Sequence, residues 1–235
     1  MASTVLDVCR SASLRLVGTR PTTIFSSTGQ IEAELADLAN ETAAAIAKVN
    51  DWQALTRLAT LQGDGSATAF TLPTDFDRMP VKSDVHSGSW QYYRYRPARD
   101  LDQWLDFQTY LTMGVPGAWI ILDGQMNVRP AMGVSEQAKF YYVSTSYAKS
   151  AQGVAQTAFK ADDDTFVLDG RLLTLGLIWR WRAQKRQEYA EDLRNYEIAL
   201  SEEIGRERGS RVLTIGGRSG SGLDVRMAYP GALGL

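Results

Sequence analysis

Apolar residues recur at helical spacing twice near the start of the chain. Val5, Val8, Ala12 and Leu16 share one face. Thr4 with Asp7 makes a capping pair in which Asp replaces the usual Glu, and Gly18 suits a left-handed stop. After a loop over 19–26 containing Pro21, Ser27 with Gln30 reads as a second capping box. It opens a helix that carries Ile31, Leu35, Leu38, Thr42, Ile46 and Val49 on one side and stops near Asn50 and Asp51. The pattern predicts an αα-hairpin.

The period then changes. Between Trp52 and Met79 two β-prone runs flank Gly63-Asp64-Gly65, which predicts a hairpin. Pro73 and Pro80 confine the following segments to edges and turns. A strand is expected over Ser89 to Tyr95, and a short helix capped by Asp100 and Gln103 bears Leu101, Trp104, Leu105, Gln108 and Leu111. Gly114 and Pro116 end it. Three more strands are expected over Ala118 to Leu122, Asn127 to Pro130 and Ala138 to Ser144, with Asp123-Gly124 as a hairpin turn. Ser146 to Ala161 is weakly patterned and reads as a loop.

Asp169 caps the next apolar run. With no Gly or Pro between Leu177 and Ile204, one helix is expected to about Arg208. That is about 40 residues, or about 60 Å. Its second half carries a stripe of Tyr189, Leu193, Tyr196, Leu200 and Ile204, which would pack on the first two helices as a three-helix bundle. Beyond Arg211 the chain turns Gly-rich and reads as an extended tail that orders on a partner. The expected fold class is α+β: a helical bundle over 1–51 and 165–208, a small antiparallel β-rich domain inserted over 52–164, and a tail over 209–235. No solenoid period is present.

Composition narrows the function. The chain has 235 residues, 44% hydrophobic and 22% charged, with a formal net charge of −2. Nothing in the global charge points to nucleic acid or a membrane surface. No apolar run approaches the ~20 residues needed to span a bilayer, and the N-terminus lacks the pattern of a signal peptide. The single cysteine, Cys9, excludes an intrachain disulfide and fits synthesis in a reducing compartment. Six Trp and ten Tyr suit a protein that makes interfaces.

Candidate chemistry is sparse. His86, the one histidine, stands in a polar loop without a partnering Ser or Cys motif, and Cys9 sits on an apolar helix face; a nucleophile needs a base. Asp162-Asp163-Asp164 lacks the spacing of a calcium loop and reads as a solvated turn. Asp75 and Asp77 are placed for salt bridges to Arg78 or a neighbouring subunit. Gly217-Arg218-Ser219-Gly220-Ser221-Gly222 lacks the ending of a phosphate loop. No catalytic, cofactor or metal residue is assigned. The basic cluster Arg180, Arg182, Lys185 and Arg186, flanked by Trp179 and Trp181, is the candidate for nucleic acid, although Glu188, Glu191 and Asp192 follow at once. Residues two apart on a helix point roughly 200° apart, so Trp179 and Trp181 are expected to serve different surfaces, one core and one neighbouring subunit. The candidate interface set is Trp179, Trp181, Arg182 and Arg186 with the tail residues Val212, Leu213, Ile215, Leu223, Val225, Met227 and Tyr229.

Two segments carry a resemblance: WQALTRLATLQGDGSATAFTLPTDFDRM at 52–79 and LTLGLIWRWRAQKRQEYAEDLRNYE at 173–197. Together with the first two helices they resemble the head-to-tail adaptor (head-completion, tail tubular A-like) proteins of short-tailed bacteriophages. The resemblance implies a structural virion protein without enzyme activity or cofactor. It implies a ring of twelve subunits in the virion neck that joins the portal protein to the tail nozzle protein, with no membrane partner. DNA would pass through its channel without sequence-specific binding, and assembly would take place in the host cytoplasm. The alternatives are another phage neck or tail-tube component, a nucleic-acid-binding protein using Arg180 to Arg186, or an enzyme whose site cannot be named.

Overall fold

A computed structural model describes residues 3–81, 83–87, 95–109 and 117–207. The expected strand over Ser89 to Tyr95 lies almost wholly outside the described residues; only Tyr95 is described, bridging to Val85. Leu111, Gly114, Pro116 and the whole tail from Arg208 also lie outside them. The elements are α1 (Val5–Leu16), α2 (Gln30–Val49), β1 (Thr56–Gln62), β2 (Ala69–Thr71), β3 (Phe76–Arg78), β4 (His86–Ser87), β5 (Arg96–Pro97) and α3 (Leu101–Thr109). They continue with β6 (Ala118–Leu122), β7 (Gln125–Arg129), β8 (Gln137–Ser144), β9 (Ala148–Lys149), β10 (Ala155–Gln156), β11 (Thr165–Phe166), α4 (Gly170–Gln184) and α5 (Ala190–Glu207). The fold is α+β, with five helices and small sheets among the described residues.

Helix starts follow local chemistry. Thr4 Oγ1 accepts the Asp7 amide at 3.2 Å, as the capping pair required. The expected Ser27–Gln30 box is not made: Ser27 Oγ instead accepts the amide of Gly29, and α2 starts behind Gly29 with no side-chain cap. Asp100 and Gln103 do form a reciprocal cap. Asp100 Oδ1 accepts the Gln103 amide, and Gln103 Oε1 accepts the Arg99 amide.

α4 is the centre of the helical part. It is buried at Leu172, Leu173, Thr174, Gly176, Leu177, Ile178 and Trp181, residues that surround the helix rather than form one stripe. A helix apolar on all sides needs neighbours on all sides, and α1, α2 and α5 each pack on it. α1 and α2 lean on α4 more than on each other. The long helix expected from Asp169 to Arg208 is two helices. Arg186 takes a left-handed backbone at φ 56°. Its amide donates to Ala183 and the next, Gln187, donates to Arg182, the two bonds of a Schellman stop. Gly normally fills that position; here it is Arg, so the sequence shows no breaker. Glu188 accepts the Ala190 amide at the start of α5.

The Gly63-Asp64-Gly65 turn does not close a hairpin. β1 pairs antiparallel with β8 over seven positions, Thr56 with Val143 through Gln62 with Gln137, while β2 pairs with β7 in a different sheet. The turn is sharp because Asp64 Oδ1 accepts the amides of Ser66 and Ala67 and Gly65 has φ +92°. It docks on the 132–136 loop instead of folding back: Gly63 and Gly65 donate to Glu136 and Met132, and a Cβ on Gly63 would lie 2.5 Å from the Gly133 carbonyl. Asp123-Gly124 is a hairpin turn as expected, with φ of 50° and 67°, joining β6 and β7. Among the described residues strand pairing is antiparallel except that β5 joins β6 parallel.

The segment 146–161 is more ordered than its composition implied. It holds β9 and β10, and Tyr147 and Phe159 are buried against Phe166 with ring centroids 5.6 to 6.5 Å apart. Asn40 of α2 holds this segment through its side chain, accepting the Phe159 amide at 2.7 Å. These aromatics belong to the apolar cluster of the helices, whereas a second cluster lies among β1, β6, β7 and β8 around Phe140, Met126 and Tyr95.

Candidate assembly interface

The tryptophan–arginine segment lies in the last turns of α4. Trp181 is 4% exposed. Lys185 Nζ stands 4.9 Å from its ring centroid and pairs with Glu34 of α2 at 2.6 Å. The Lys185 and Gln30 side chains hold the Glu34 carboxyl below its ordinary value. Trp179 points the other way. Its ring lies 6.4 Å from Tyr189 and 6.0 Å from Tyr196, so it is half-buried beneath α5 of its own chain. The two rings therefore serve different surfaces, and both surfaces are internal over most of their area.

The cations follow the same logic. Arg180 stacks on Trp179 at 5.2 Å and pairs with Glu41 of α2. Arg182 pairs with Asp192 of α5. Arg186 is exposed at the turn between α4 and α5. Three of the four cations in the cluster are thus bound to carboxylates of neighbouring helices. Sequence spacing found the cations but not their partners Glu41 and Glu34, which lie 139 residues before Arg180 and 151 before Lys185. Val212, Leu213, Ile215, Leu223, Val225, Met227 and Tyr229 lie outside the described residues.

Other candidate groups have structural surroundings. Cys9 is buried among the helices, and that burial, with Asp162 adding to it, pushes its thiol up to about 12, far from a thiolate nucleophile. His86 is exposed on β4, in the other sheet-rich part. Asp162 accepts the amides of Ile24 and Phe25 at 2.9 and 3.0 Å and the Thr23 hydroxyl, fastening the loop between α1 and α2. Asp164 accepts the amides of Lys160 and Ala161. Only Asp163 is left exposed as a solvated turn residue. Among the described residues no group of His, Cys, Asp and Glu is placed to hold a metal ion, and no helix is long and apolar enough to cross a membrane. A cleft of about 490 Å³ between α1, α4 and α5 is lined by Arg15, Arg171, Asn195, Ile198 and Glu202.

Aromatic and charged side chains here tie α4 to α2 and α5. The chain belongs to the SU10 adaptor protein family, whose sequence model matches residues 3–221, and with that family it is a phage structural adaptor. No curated protein matches the chain.

Proposed function

We propose that this adaptor assembles as a homo-oligomeric ring of twelve subunits in the virion neck, joining the portal protein to the tail nozzle protein around the DNA channel. The family match over nearly the whole chain carries this reading. The helices of 1–51 and 165–208 form the bundle of the subunit, residues 52–164 form its inserted β-rich domain, and 209–235 form its extended tail. Arg182, Arg186 and the open edge of Trp179 line one neighbour contact. Leu223, Val225, Met227 and Tyr229 provide the part of the tail that reaches the portal or an adjacent subunit. A ring subunit makes two different contacts, one to each neighbour, and needs no catalytic group for that purpose. A near-neutral subunit also lets DNA slide without tight phosphate contacts. Negative-stain microscopy of the purified full chain, alone and mixed with portal, tests this. A closed ring with a central opening that caps the portal is expected. Monomers under both conditions, or a ring that ignores portal and stacks into tubes, would overturn it, the second favouring a tail-tube component.

A further inference from the structure

Among the described residues β1 is an edge strand of its sheet and pairs only with β8. Its seven residues, TRLATLQ, contain none of the devices that usually blunt an edge: no Pro, no Lys, and no bulge in a seven-position register. Its one charged side chain, Arg57, is held by Asp75 at 2.8 Å. On the outward face of the pair, Leu58 and its cross-strand partner Tyr141 are 53% and 55% exposed. An edge of this kind invites another strand.

The chain leaves the described fold beside this edge. α5 ends at Glu207, whose backbone carbonyl accepts from the Gln53 side chain at 3.1 Å and whose carboxylate accepts the Gln53 amide at 3.3 Å. Gln53 lies three residues before the start of β1. Gly209 follows, a residue suited to ending a helix, and then Arg211-Val212-Leu213-Thr214-Ile215, a run of β-branched and apolar residues of high strand propensity. Four residues, 208–211, lie between Glu207 and Val212, and the five steps reach about 17 Å. β1 begins within about 10 Å of Gln53 along the chain. Gly216-Gly217 then ends the β-prone run.

We propose that residues 211–215 add a strand to the free edge of β1 in the same chain. A segment leaving from the Gln53 end must run along β1 in the same direction, so the added strand is parallel to it. The tether keeps the segment at high effective concentration next to its site, which lowers the cost of ordering it. The main chain supplies the hydrogen bonds, as in other strand additions, and Val212, Leu213 and Ile215 bring apolar surface to the sheet margin. The segment from Arg218 onward stays available for a partner. The inference goes beyond the ring assignment and does not depend on it.

Hydrogen exchange of the full chain reads the edge directly. Amides of 56–62 and of 212–215 are expected to be protected. Leu213→Pro, and separately deletion of 211–215, are expected to speed exchange in 56–62 by about tenfold or more while α4 keeps its protection. Exchange in 56–62 that is unchanged in both variants would overturn the proposal. A second measurement covers the case in which either variant misfolds. Thr60→Cys is combined in turn with Leu213→Cys, Thr214→Cys and Ile215→Cys under mild oxidation. Cys9, buried and with its thiol near 12, does not compete. A disulfide within one chain is expected from at least one pair. Disulfides only between chains would mean that the edge takes a neighbour's tail, and no disulfide from any pair would leave the edge open; either result overturns the proposal. Both readouts are local to β1, so a failure to form rings leaves them interpretable.

Discussion

A Cβ placed on Gly176 would lie 2.5 Å from Cγ2 of Thr42 and 3.4 Å from the Tyr196 ring, so α4 approaches α2 and α5 more closely than any side chain allows. Gly in a helix interior normally costs about 1 kcal/mol relative to Ala. Here the close approach outweighs propensity, and Gly176→Ala is expected to destabilise by about 1–3 kcal/mol, read as a lower midpoint in urea unfolding. An unchanged or higher midpoint would mean that the helices can separate at little cost. Asp75 makes a second residue-scale case. It accepts from Arg57, from the Tyr142 hydroxyl at 2.9 Å and from the Ser144 hydroxyl at 2.6 Å, while its carbonyl accepts the Thr145 amide. Burial alone would raise its carboxyl, but the bonds from Ser144 and Tyr142 and the Arg57 charge outweigh that and hold it below its ordinary value. A folded-state pKa below the unfolded value stabilises fully above the unfolded value, about 3.9, and less as pH falls through the folded one. Asp75→Asn is therefore expected to cost about 1–3 kcal/mol near pH 7, and progressively less as the pH is taken below the unfolded value and down through the depressed folded one. A loss independent of pH would point to packing instead of charge. From the sequence, Asp75 and Asp77 were expected to bridge to Arg78 or to a neighbouring subunit. Asp77 does bridge to Arg78, as does Asp51, and Arg57 holds Asp75 because β1 and β3 flank β8.

The stop between α4 and α5 is an element-scale feature with a single residue at its centre. Arg186 pays a left-handed penalty that Gly would not. Arg186→Gly is expected to raise stability by about 0.5–1 kcal/mol, with helix content unchanged by circular dichroism. Destabilisation would show that the Arg186 side chain contributes more than its backbone costs. This break also shows where sequence reading runs out. The stripe of Leu193, Tyr196, Leu200 and Ile204 on α5 and the apolar run of α4 are both present in the structure, although α5 packs chiefly on α4 and not on α1 and α2 as the stripe suggested. α1, α2, α3 and the β6–β7 hairpin are present too, because each is written in local periodicity or in a turn pair such as Asp123-Gly124. The boundary between α4 and α5 is not, since Lys185-Arg186-Gln187 carries no breaker and the fold-back is fixed by Trp179 meeting Tyr189 and Tyr196. Strand partners are equally silent: β1 and β2 flank a strong turn yet join different sheets, a choice made by the loop at 132–136. The segment 146–161 looked featureless because its anchors, Tyr147 and Phe159, are single aromatics that meet Phe166 just beyond the segment and Asn40 more than 100 residues before it.

At the scale of the whole molecule the question is what the basic cluster does. Free cations beside exposed tryptophans would suit a strand of nucleic acid. Here Arg180 meets Glu41, Arg182 meets Asp192 and Lys185 meets Glu34, so α4 is joined to α2 and to α5 by charges of opposite sign, and Trp181 and Trp179 are covered by the same contacts. These cations have less potential to offer a phosphate, and the net charge of −2 adds no general attraction. The two roles predict opposite responses to one variant, Arg180→Gln with Arg182→Gln and Lys185→Gln. If the cluster is a fastening, thermal stability falls, by about 0.2–1 kcal/mol for each pair lost, and retention on immobilised duplex DNA keeps its salt dependence. If it is a nucleic-acid site, retention falls and the slope of log affinity against log salt becomes shallower by about 0.9 for each phosphate contact removed, while melting need not change. We expect the first result, with the comparison made on the full chain so that Arg208, Arg211, Arg218 and Arg226 contribute equally to both proteins. A shallower slope in a variant that melts like the parent would return the cluster to DNA and remove it from the joint between the helices.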